Sequence, residues 1–328
     1  MRNSARLSVV VPVFNEQDSI AALVERIHQA LSSAALRWEL ILVNDGSFDA
    51  THARAVEACA QYGSHVRVVD LYRNFGQTAA LQAGIDHARG DLIATMDGDL
   101  QNDPCDIPAM IERLVEQDLD LVAGWRKDRK DGLWLRKLPS RLANALIGCV
   151  TGVRLHDYGC TLKVFRASIV RDVRLYGEMH RFIPAWVAMR TGPNRIQEMP
   201  VRHHARQHGA SKYGLSRTFR VIIDLAVVFF FLRYQARPGH FFGLLGFGLG
   251  ALGVLALMHL FVLKLGGVDI GGRPLFLTAV MLVVLSVQMF STAVLAEMMS
   301  RTYFESREDT HYRIRQIDAP AEDGWYGA

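Results

Sequence analysis

Short apolar runs alternate with amphipathic stretches along the first two-thirds of the chain. Helix-length segments, with apolar positions three or four residues apart, follow the first three runs. Strands separated by helices in this way form right-handed βαβ units, so the pattern predicts an α/β domain with a mostly parallel sheet covered on both faces. The predicted strands are 7–13, 38–44, 66–70, 91–96 and 119–124.

Polar residues follow the predicted strands at the point where each one ends. Asn15 and Glu16 follow the first strand, Asp45 the second, and Asp97 and Asp99 the fourth. Open α/β sheets bind ligands at the carboxyl ends of their strands, so we expect these side chains to converge at one edge.

The stretch Asp97-Gly-Asp-Leu-Gln101 supplies candidate metal ligands. Carboxylate and amide oxygens suit Mg²⁺ or Mn²⁺, which commonly take one or two carboxylates and leave positions for a substrate phosphate. Asp45 and Glu16 can accept hydrogen bonds from a base and a ribose. An ordinary Asp-Gly turn is the alternative for each motif alone, but together they favour a nucleotide site. The chain has no Gly-x-Gly-x-x-Gly after its first strand and no Walker-type loop, which argues against dehydrogenases and ATPases.

Apolar residues dominate from about 215 to 299. Segments 241–263 and 275–295 each reach the length of a transmembrane helix, and a short Gly-rich loop separates them. The shorter segments 133–148 and 216–237 mix apolar and basic residues and are expected to be interfacial helices, with a buried core helix as the alternative for the first. Gly246 and Gly250 allow close helix packing, either within the chain or between subunits.

Charge indicates the orientation. Two spans return the chain to its starting side, and that side is the more basic one, so the catalytic domain and both termini are expected in the cytoplasm. The basic residues on that side are Arg233, Arg237, Arg301, Arg307, Arg313 and Arg315, against Lys264 and Arg273 on the other. We therefore predict a catalytic domain over 1–215, an interfacial helix over 216–237, two spans over 238–299 and a cytoplasmic tail over 300–328, disordered from about Asp318.

Composition adds three limits. The formal charge of +4 over 328 residues, without a continuous basic tail, gives no sign of nucleic-acid binding, whereas basic clusters beside apolar segments suit a membrane surface or a phosphorylated substrate. The four cysteines lack paired or metal-site spacing and are expected to be reduced thiols. A strand-like run begins at Leu7, so we expect no signal peptide.

Three motifs together resemble the inverting GT-A glycosyltransferases of family 2. They are Val11-Pro-Val-Phe-Asn-Glu16, Val43-Asn-Asp-Gly-Ser47 and Asp97-Gly-Asp-Leu-Gln101. The segments 178–184 and 206–214 are similar to the polyprenyl-phosphate branch, which includes dolichol-phosphate mannose synthase and bacterial undecaprenyl-phosphate sugar transferases. The resemblance extends from about Leu7 to Tyr303. It implies a Rossmann-like GT-A domain followed by interfacial and transmembrane helices.

The resemblance also implies roles for individual residues. Nucleotide-sugar binding falls to Pro12, Asn15, Glu16, Asp45, Asp97, Gly98, Asp99, Arg206 and Lys212. The implied metal ligands are Asp97, Asp99 and Gln101. The implied contacts to the acceptor phosphate are Arg126, Arg136 and Ser140. Asp99, Arg126, Arg206 and Lys212 would carry catalysis, with His180 and Arg181 as further candidates. The family more often has Asp-Ala-Asp, and Gly98 gives this stretch extra backbone freedom.

The implied activity is transfer of one sugar from a nucleotide-sugar to undecaprenyl phosphate at the inner membrane of a bacterium. A UDP-sugar such as UDP-glucose is favoured as donor, and GDP-mannose is the other candidate. A phosphate monoester is mostly ionised at neutral pH, so a single displacement with inversion needs no general base. The expected partners are Mg²⁺ or Mn²⁺, further copies of the chain, a separate flippase and a downstream glycosyltransferase.

Two other functions remain open. A processive polysaccharide synthase of the same superfamily is expected to carry a Gln-x-x-Arg-Trp motif and more spans, and this sequence has neither. A non-catalytic membrane adaptor could retain the GT-A domain as a binding module. Its function would be unaffected by changing both Asp97 and Asp99 to Asn.

Overall fold

The structure is a computed structural model, in which the chain divides into two compact units. One unit comprises Met1–Val228 and Thr310–Ala328, and the other comprises Phe229–Asp309. Most of the predicted interfacial segments 133–148 and 216–237 lies outside the described residues, as does the tail after Asp318 apart from Trp325. The described residues are 6–34, 36–127, 148, 152–171, 175, 179–204, 230, 234, 238–270, 272–305, 314–318 and 325.

A mixed sheet of eight strands forms the first unit. The strands are β1 (Arg6–Val13), β2 (Arg37–Asn44), β3 (Val66–Leu71), β4 (Leu92–Thr95), β5 (Leu121–Trp125), β6 (Lys163–Arg166), β7 (Ile196–Pro200) and β8 (Ile314–Asp318). Their order across the sheet is β7-β5-β6-β4-β1-β2-β3-β8. The four central strands β4, β1, β2 and β3 are parallel, which confirms the prediction from the βα pattern.

Helices cover the sheet and build the second unit. They are α1 (Ile20–Ser32), α2 (Thr51–Tyr62), α3 (Gln77–His87), α4 (Ile107–Glu116), α5 (Ala167–Val170), α6 (Ile183–Thr191), α7 (Pro238–Leu265) and α8 (Pro274–Glu305), with 3₁₀ turns at Pro104–Asp106, Met179–Phe182 and Pro193–Arg195. In α1 the buried residues Ile20, Leu23, Val24, Ile27 and Leu31 recur every three or four positions. This spacing gives the helix one apolar face, which packs into the core.

Three strands were not predicted from the sequence. The strand β6 runs antiparallel between β4 and β5, and β7 pairs parallel with β5. The strand β8 follows the two long helices in sequence and adds antiparallel to β3, with Ile317 opposite Val69. None of the three belongs to a βαβ unit, so hydrophobic periodicity alone did not identify them.

The second unit contains a pair of antiparallel apolar helices. Stretches Gly239–Leu265 and Pro274–Met299 are long and apolar enough to cross a membrane. Only 11% and 17% of their most apolar 18 residues, respectively, are buried inside the structure. Such exposure is typical of lipid-facing helices rather than of a soluble core. A Cβ on Gly250 would lie 2.6 Å from Ser286 Oγ, and that hydroxyl donates to the carbonyl of Gly246 at 2.7 Å. Gly246 and Gly250 thus pack against α8 within the chain.

An ion pair fastens the outer strands β5 and β7. Asp120 lies beside the start of β5, is 2% exposed, and accepts hydrogen bonds from Arg195 Nε at 2.6 Å and Nη2 at 3.0 Å. Burial by itself would raise the pKa of Asp120, but the hydrogen bonds and charge of Arg195 outweigh it and lower that pKa below the ordinary value. The carboxylate form of Asp120 therefore stabilises the edge of the sheet that carries Arg126.

We expect Asp120→Asn to lower the melting temperature in detergent at pH 7 by roughly 3–10 °C, because it removes hydrogen bonds to a charged group. The pKa of Asp120 is depressed in the folded state, so its contribution is complete above the unfolded pKa of about 3.9 and is lost as pH falls through the lower folded pKa. The difference from wild type should therefore be constant down to about pH 5 and shrink below about pH 4. A difference that widens with acidification would contradict this assignment.

Asp118→Asn is the matched control. Asp118 also pairs with Arg195, at 2.9 Å, but its side chain is 74% exposed. Solvent screening leaves exposed pairs with little net effect, so this variant should change the melting temperature by no more than about 2 °C.

Candidate active site

The loops after β1 and β2 are tied together at the carboxyl edge of the sheet. The backbone N–H of Asn15 donates to Ser47 Oγ at 2.9 Å, and Asn15 Oδ1 accepts from the backbone N–H of Phe48 at 3.0 Å. Asn15 has a φ of 54°, in the left-handed region that asparagine tolerates better than most residues. The N–H of Glu16 donates to Thr51 Oγ1 at 2.8 Å. Asn15 thus orders the edge of the predicted nucleotide site.

Asp45 fastens the loop that follows β3. Its two carboxylate oxygens accept the backbone N–H groups of Phe75 at 2.8 Å and Gly76 at 3.0 Å. Burial raises the pKa of Asp45, and these two hydrogen bonds oppose that effect. The neighbouring Gly46 has a φ of 63°, and a Cβ there would lie 2.3 Å from the carbonyl carbon of Arg73. Asp45, predicted with Glu16 to bind the base and the ribose, therefore also holds the loop after β3 in place.

Asp97 is held from two sides. Gln77 Nε2 donates to Asp97 Oδ1 at 2.7 Å, and Thr161 Oγ1 donates to Asp97 Oδ2 at 2.7 Å. Asn102 Nδ2 in turn donates to Thr161 Oγ1 at 3.0 Å. Asp45 accepts from Gly76, and Asp97 accepts from the next residue, Gln77. These two consecutive residues thus link the two carboxylates, which the sequence predicted to converge.

The chain turns sharply after Asp99. Leu100 has a φ of 63°, and the N–H of Gln101 donates back to Asp99 Oδ1 at 3.2 Å. The carbonyl of Gln101 accepts the N–H of His204 at 2.8 Å. The strained turn at Leu100 and the contact with His204 set the orientation of the chain at Asp99 and Gln101.

Gly98 lies at a close approach to β1, and its φ is not positive. A Cβ on Gly98 would lie 2.7 Å from Val13 Cγ1 and 3.4 Å from the carbonyl of Pro12. The metal-motif loop therefore packs directly on the end of β1. The resemblance implied only extra backbone freedom at Gly98, whereas the structure shows that a side chain here would meet Val13.

The donor set fits a divalent cation that keeps open positions. Two carboxylates and a carboxamide are hard oxygen ligands. Burial and, after it, the charge of Asp99 raise the pKa of Asp97, and a cation between the two carboxylates would relieve their repulsion. Among the described residues no three His, Cys, Asp or Glu side chains form a metal cage. Asp97, Asp99 and Gln101 would thus hold Mg²⁺ or Mn²⁺ with positions left for a diphosphate.

Arg126 forms a bidentate ion pair with Asp157. Its Nε donates to Asp157 Oδ2 at 2.7 Å and its Nη2 to Asp157 Oδ1 at 3.0 Å. Burial would lower the pKa of Arg126, but Asp157 raises it above the ordinary value, so the guanidinium stays charged. A guanidinium has five N–H donors, which leaves others for the predicted acceptor phosphate.

A pocket opens beside Asp97, and Pro12 and His180 line it. His180 is buried, its Nδ1 lies 2.6 Å from Thr78 Oγ1, and Arg181 Nε donates to its Nε2 at 3.4 Å. His180 therefore belongs to the wall of the site. The remaining candidates, Arg136, Ser140, Arg206 and Lys212, lie outside the described residues.

Three further residues that were not predicted from the sequence also line this pocket, namely Gln77, Thr161 and Lys163. Gln77 begins α3, just after the loop that follows β3, so the expectation that polar residues gather after the strands could have been extended to it. Thr161 and Lys163 lie at β6, whose place beside β4 only the tertiary structure reveals.

The comparisons with known proteins agree with this geometry. The model of the family described as "Glycosyl transferase family 2" matches residues 8–174. The chain is 60% identical to dodecaprenyl-phosphate galacturonate synthase of Rhizobium johnstonii over 318 residues, which cover 96% of this chain and 93% of that protein. It is 37% identical to undecaprenyl-phosphate 4-deoxy-4-formamido-L-arabinose transferase of Edwardsiella ictaluri, over 95% of this chain and 94% of that protein.

Solved structures share the fold. Glucosyl-3-phosphoglycerate synthase from Mycobacterium tuberculosis, in complex with Mn²⁺ and UDP-glucose, superposes with a TM-score of 0.53 at 20% identity, over 69% of this chain and 79% of that one. Mannosyl-3-phosphoglycerate synthase from Rubrobacter xylanophilus gives 0.54 at 18% identity, over 68% and 73%. At this level of identity the likeness shows the fold alone.

We expect Thr161→Val to raise the Mn²⁺ concentration needed for half-saturation by roughly 10–100-fold, because it removes the hydroxyl that orients Asp97 while conserving side-chain shape. The measurement is electron paramagnetic resonance of free Mn²⁺ during titration in the presence of UDP. Thr191→Val serves as control, since the Thr191 hydroxyl contacts the carbonyl of Val187 at 3.2 Å and the carboxylate of Asp120 rather than Asp97. Equal Mn²⁺ affinities for wild type and Thr161→Val would refute the role of Thr161.

Gly98→Ala should lower the melting temperature, because overpacking of a buried contact costs about 1–3 kcal/mol. Val13→Ala removes the methyl group that the new Cβ meets. The double variant is therefore expected to lose less unfolding free energy than the two single variants lose together. A double-mutant cycle measures this difference. Strict additivity would show that Val13 does not limit the space at Gly98.

Proposed function

The chain belongs to glycosyl transferase family 2, and from that premise we propose that it transfers one sugar from a nucleotide-sugar to a polyprenyl phosphate. The observation that carries the proposal is the oriented pair Asp97 and Asp99 at the end of β4, in a chain 60% identical to a dodecaprenyl-phosphate galacturonate synthase. The relatives support an enzyme rather than an adaptor. Undecaprenyl phosphate is the acceptor we expect, by analogy with the 37% identical transferase.

We propose a UDP-sugar as the donor. Among UDP-sugars we place UDP-galacturonate ahead of UDP-glucose, because the galacturonate synthase matches 96% of this chain. GDP-mannose is the less favoured donor. Support for a nucleotide as part of the donor comes from the carboxyl edge of the sheet, where Asn15, Glu16 and Asp45 lie at ordered positions that can face a base and a ribose.

Catalysis consists of positioning and charge compensation. A divalent metal, when bound, would neutralise the departing diphosphate. Gln77 and Thr161 keep Asp97 oriented for that ion, and the turn at Leu100 directs Asp99. Arg126, kept charged by Asp157, would hold the acceptor phosphate in line, with Arg136 and Ser140 as further contacts. Because that phosphate is already anionic near pH 7, displacement with inversion proceeds without a general base.

The topology supports a membrane hairpin with both ends on one side. The strand β7 precedes α7 and α8, and β8 follows them, yet both strands belong to one sheet. A chain that leaves and rejoins the same sheet crosses a membrane an even number of times. Together with the basic flanks, this favours a cytoplasmic catalytic domain. We further propose that the protein forms a homo-oligomer. A separate flippase would move its product across the membrane, and a downstream glycosyltransferase would use it.

Purified full-length protein in detergent, with undecaprenyl phosphate and Mn²⁺ or Mg²⁺, tests the proposal against labelled UDP-galacturonate, UDP-glucose and GDP-mannose. We expect a chloroform-extractable, acid-labile product from UDP-galacturonate. Asp99→Asn should lower the rate by roughly 100-fold or more, because it removes a charged metal ligand.

Asp91→Asn is the matched control, because Asp91 lies beside the opposite end of β4 and pairs with Arg6 at 3.4 Å. It should retain wild-type activity. Binding of a donor without transfer would overturn the acceptor assignment. Binding of no donor would favour the adaptor.

A further inference from the structure

Lys163 is a buried cation at the wall of the site. It is the first residue of β6, lies opposite Thr95 of β4 and is 1% exposed. Its side chain lines the pocket that Asp97 and His180 also line. A lysine is almost never fully buried unless it is paired.

Among the described residues, the ammonium of Lys163 forms no ion pair with a carboxylate, and its Nζ donates to the carbonyl of Cys160. An ammonium has three N–H donors, so two of them have no acceptor within the described part of the chain. Burial lowers the pKa of Lys163, and the charges of Cys160, Asp157 and Asp97 oppose that effect. Keeping such a group inside the protein costs stability.

The other polar groups of the pocket are satisfied within the protein. Gln77 and Thr161 donate to Asp97, and Thr95 Oγ1 donates to the carbonyl of Thr161 at 2.8 Å. The pocket therefore offers one ammonium with spare donors, beside the carboxylate expected to hold the metal.

We infer that Lys163 binds an anionic oxygen group of the substrate, and this inference rests on the proposed transferase function. One ammonium matches the single charge of a carboxylate, as carried at C6 of a hexuronate. A substrate phosphate offers the same oxygen chemistry, and the experiment separates the two sources.

Lys163→Met removes the charge and nearly conserves the length of the side chain. The measurement is kcat/KM for UDP-galacturonate and for UDP-galactose, which differ only in the carboxylate at C6. If Lys163 binds that carboxylate, kcat/KM should fall roughly 100-fold for UDP-galacturonate and change less than about threefold for UDP-galactose. The melting temperature should stay equal or rise, because an unpaired buried charge is replaced by an apolar side chain.

Equal losses on both donors, with a raised KM for undecaprenyl phosphate or a raised Kd for UDP, would show that the bound anion is a phosphate and would support the inference. Unchanged kcat/KM on both donors would overturn it. A lower melting temperature without any change in KM, Kd or donor preference would assign Lys163 a structural role and also overturn it. Lys163→Gln replaces Lys163→Met if the latter does not fold.

Glu39→Gln is the matched control, because Glu39 is a fully buried charge with partners. It accepts from Ser8 Oγ at 2.6 Å and from Arg67 Nη2 at 2.8 Å, away from the pocket. This variant should lower the melting temperature and leave donor preference unchanged.

Calorimetric binding of Mn²⁺ with UDP-galacturonate or UDP-galactose gives a second readout. If the wild type transfers no sugar, the proposed function fails. Loss of a binding preference for UDP-galacturonate in Lys163→Met, or weaker binding of both nucleotide-sugars, would still support the inference. Binding of both nucleotide-sugars as tightly as by the wild type would overturn it.

Discussion

The two hydrogen bonds that hold Asp97 connect parts of the chain that are far apart in sequence. Gln77 begins α3, whereas Thr161 precedes β6, and each donates to one oxygen of the same carboxylate. Gly76, the residue before Gln77, is bound by Asp45 after β2. The orientation of this carboxylate of the proposed metal site therefore depends on the correct packing of β2, α3, β4 and β6. A site built from three strand ends is as rigid as the sheet that carries it.

Buried charges at the amino ends and at the carboxyl ends of the strands differ in how far the protein's own groups compensate them. Towards the amino ends, Glu39 is surrounded by donors from Ser8, Arg67 and Arg89, so its charge is compensated within the protein. At the carboxyl edge, Lys163 Nζ donates only to the carbonyl of Cys160 within the described part of the chain, and Leu100 adopts a strained backbone conformation. Uncompensated charge and strain gather at functional sites, where a ligand can supply the missing interactions.

The two apolar helices lie in sequence between β7 and β8, two strands of the same sheet. Helices α7 and α8 pack through Gly246 and Gly250 against Ser286, so the hairpin is held within one chain. The following strand β8 covers the β3 edge of the sheet, and His52 pairs with Asp318 at 3.0 Å next to it. The segment after the two apolar helices thus completes the sheet and protects an edge that would otherwise expose unpaired backbone groups.

The sequence by itself determined the parallel strands β1 to β5, the helices between them, the two apolar helices, and the family to which the chain belongs. These features depend on local periodicity, on polar residues at strand ends and on short motifs, all of which are readable along the chain. Only the tertiary structure decided where β6, β7 and β8 join, because antiparallel insertion and edge pairing leave no local pattern. For the same reason it alone showed that Thr161 and Lys163 lie beside Asp97, that Asp157 engages Arg126, and that Gly98 is fixed by contact with Val13.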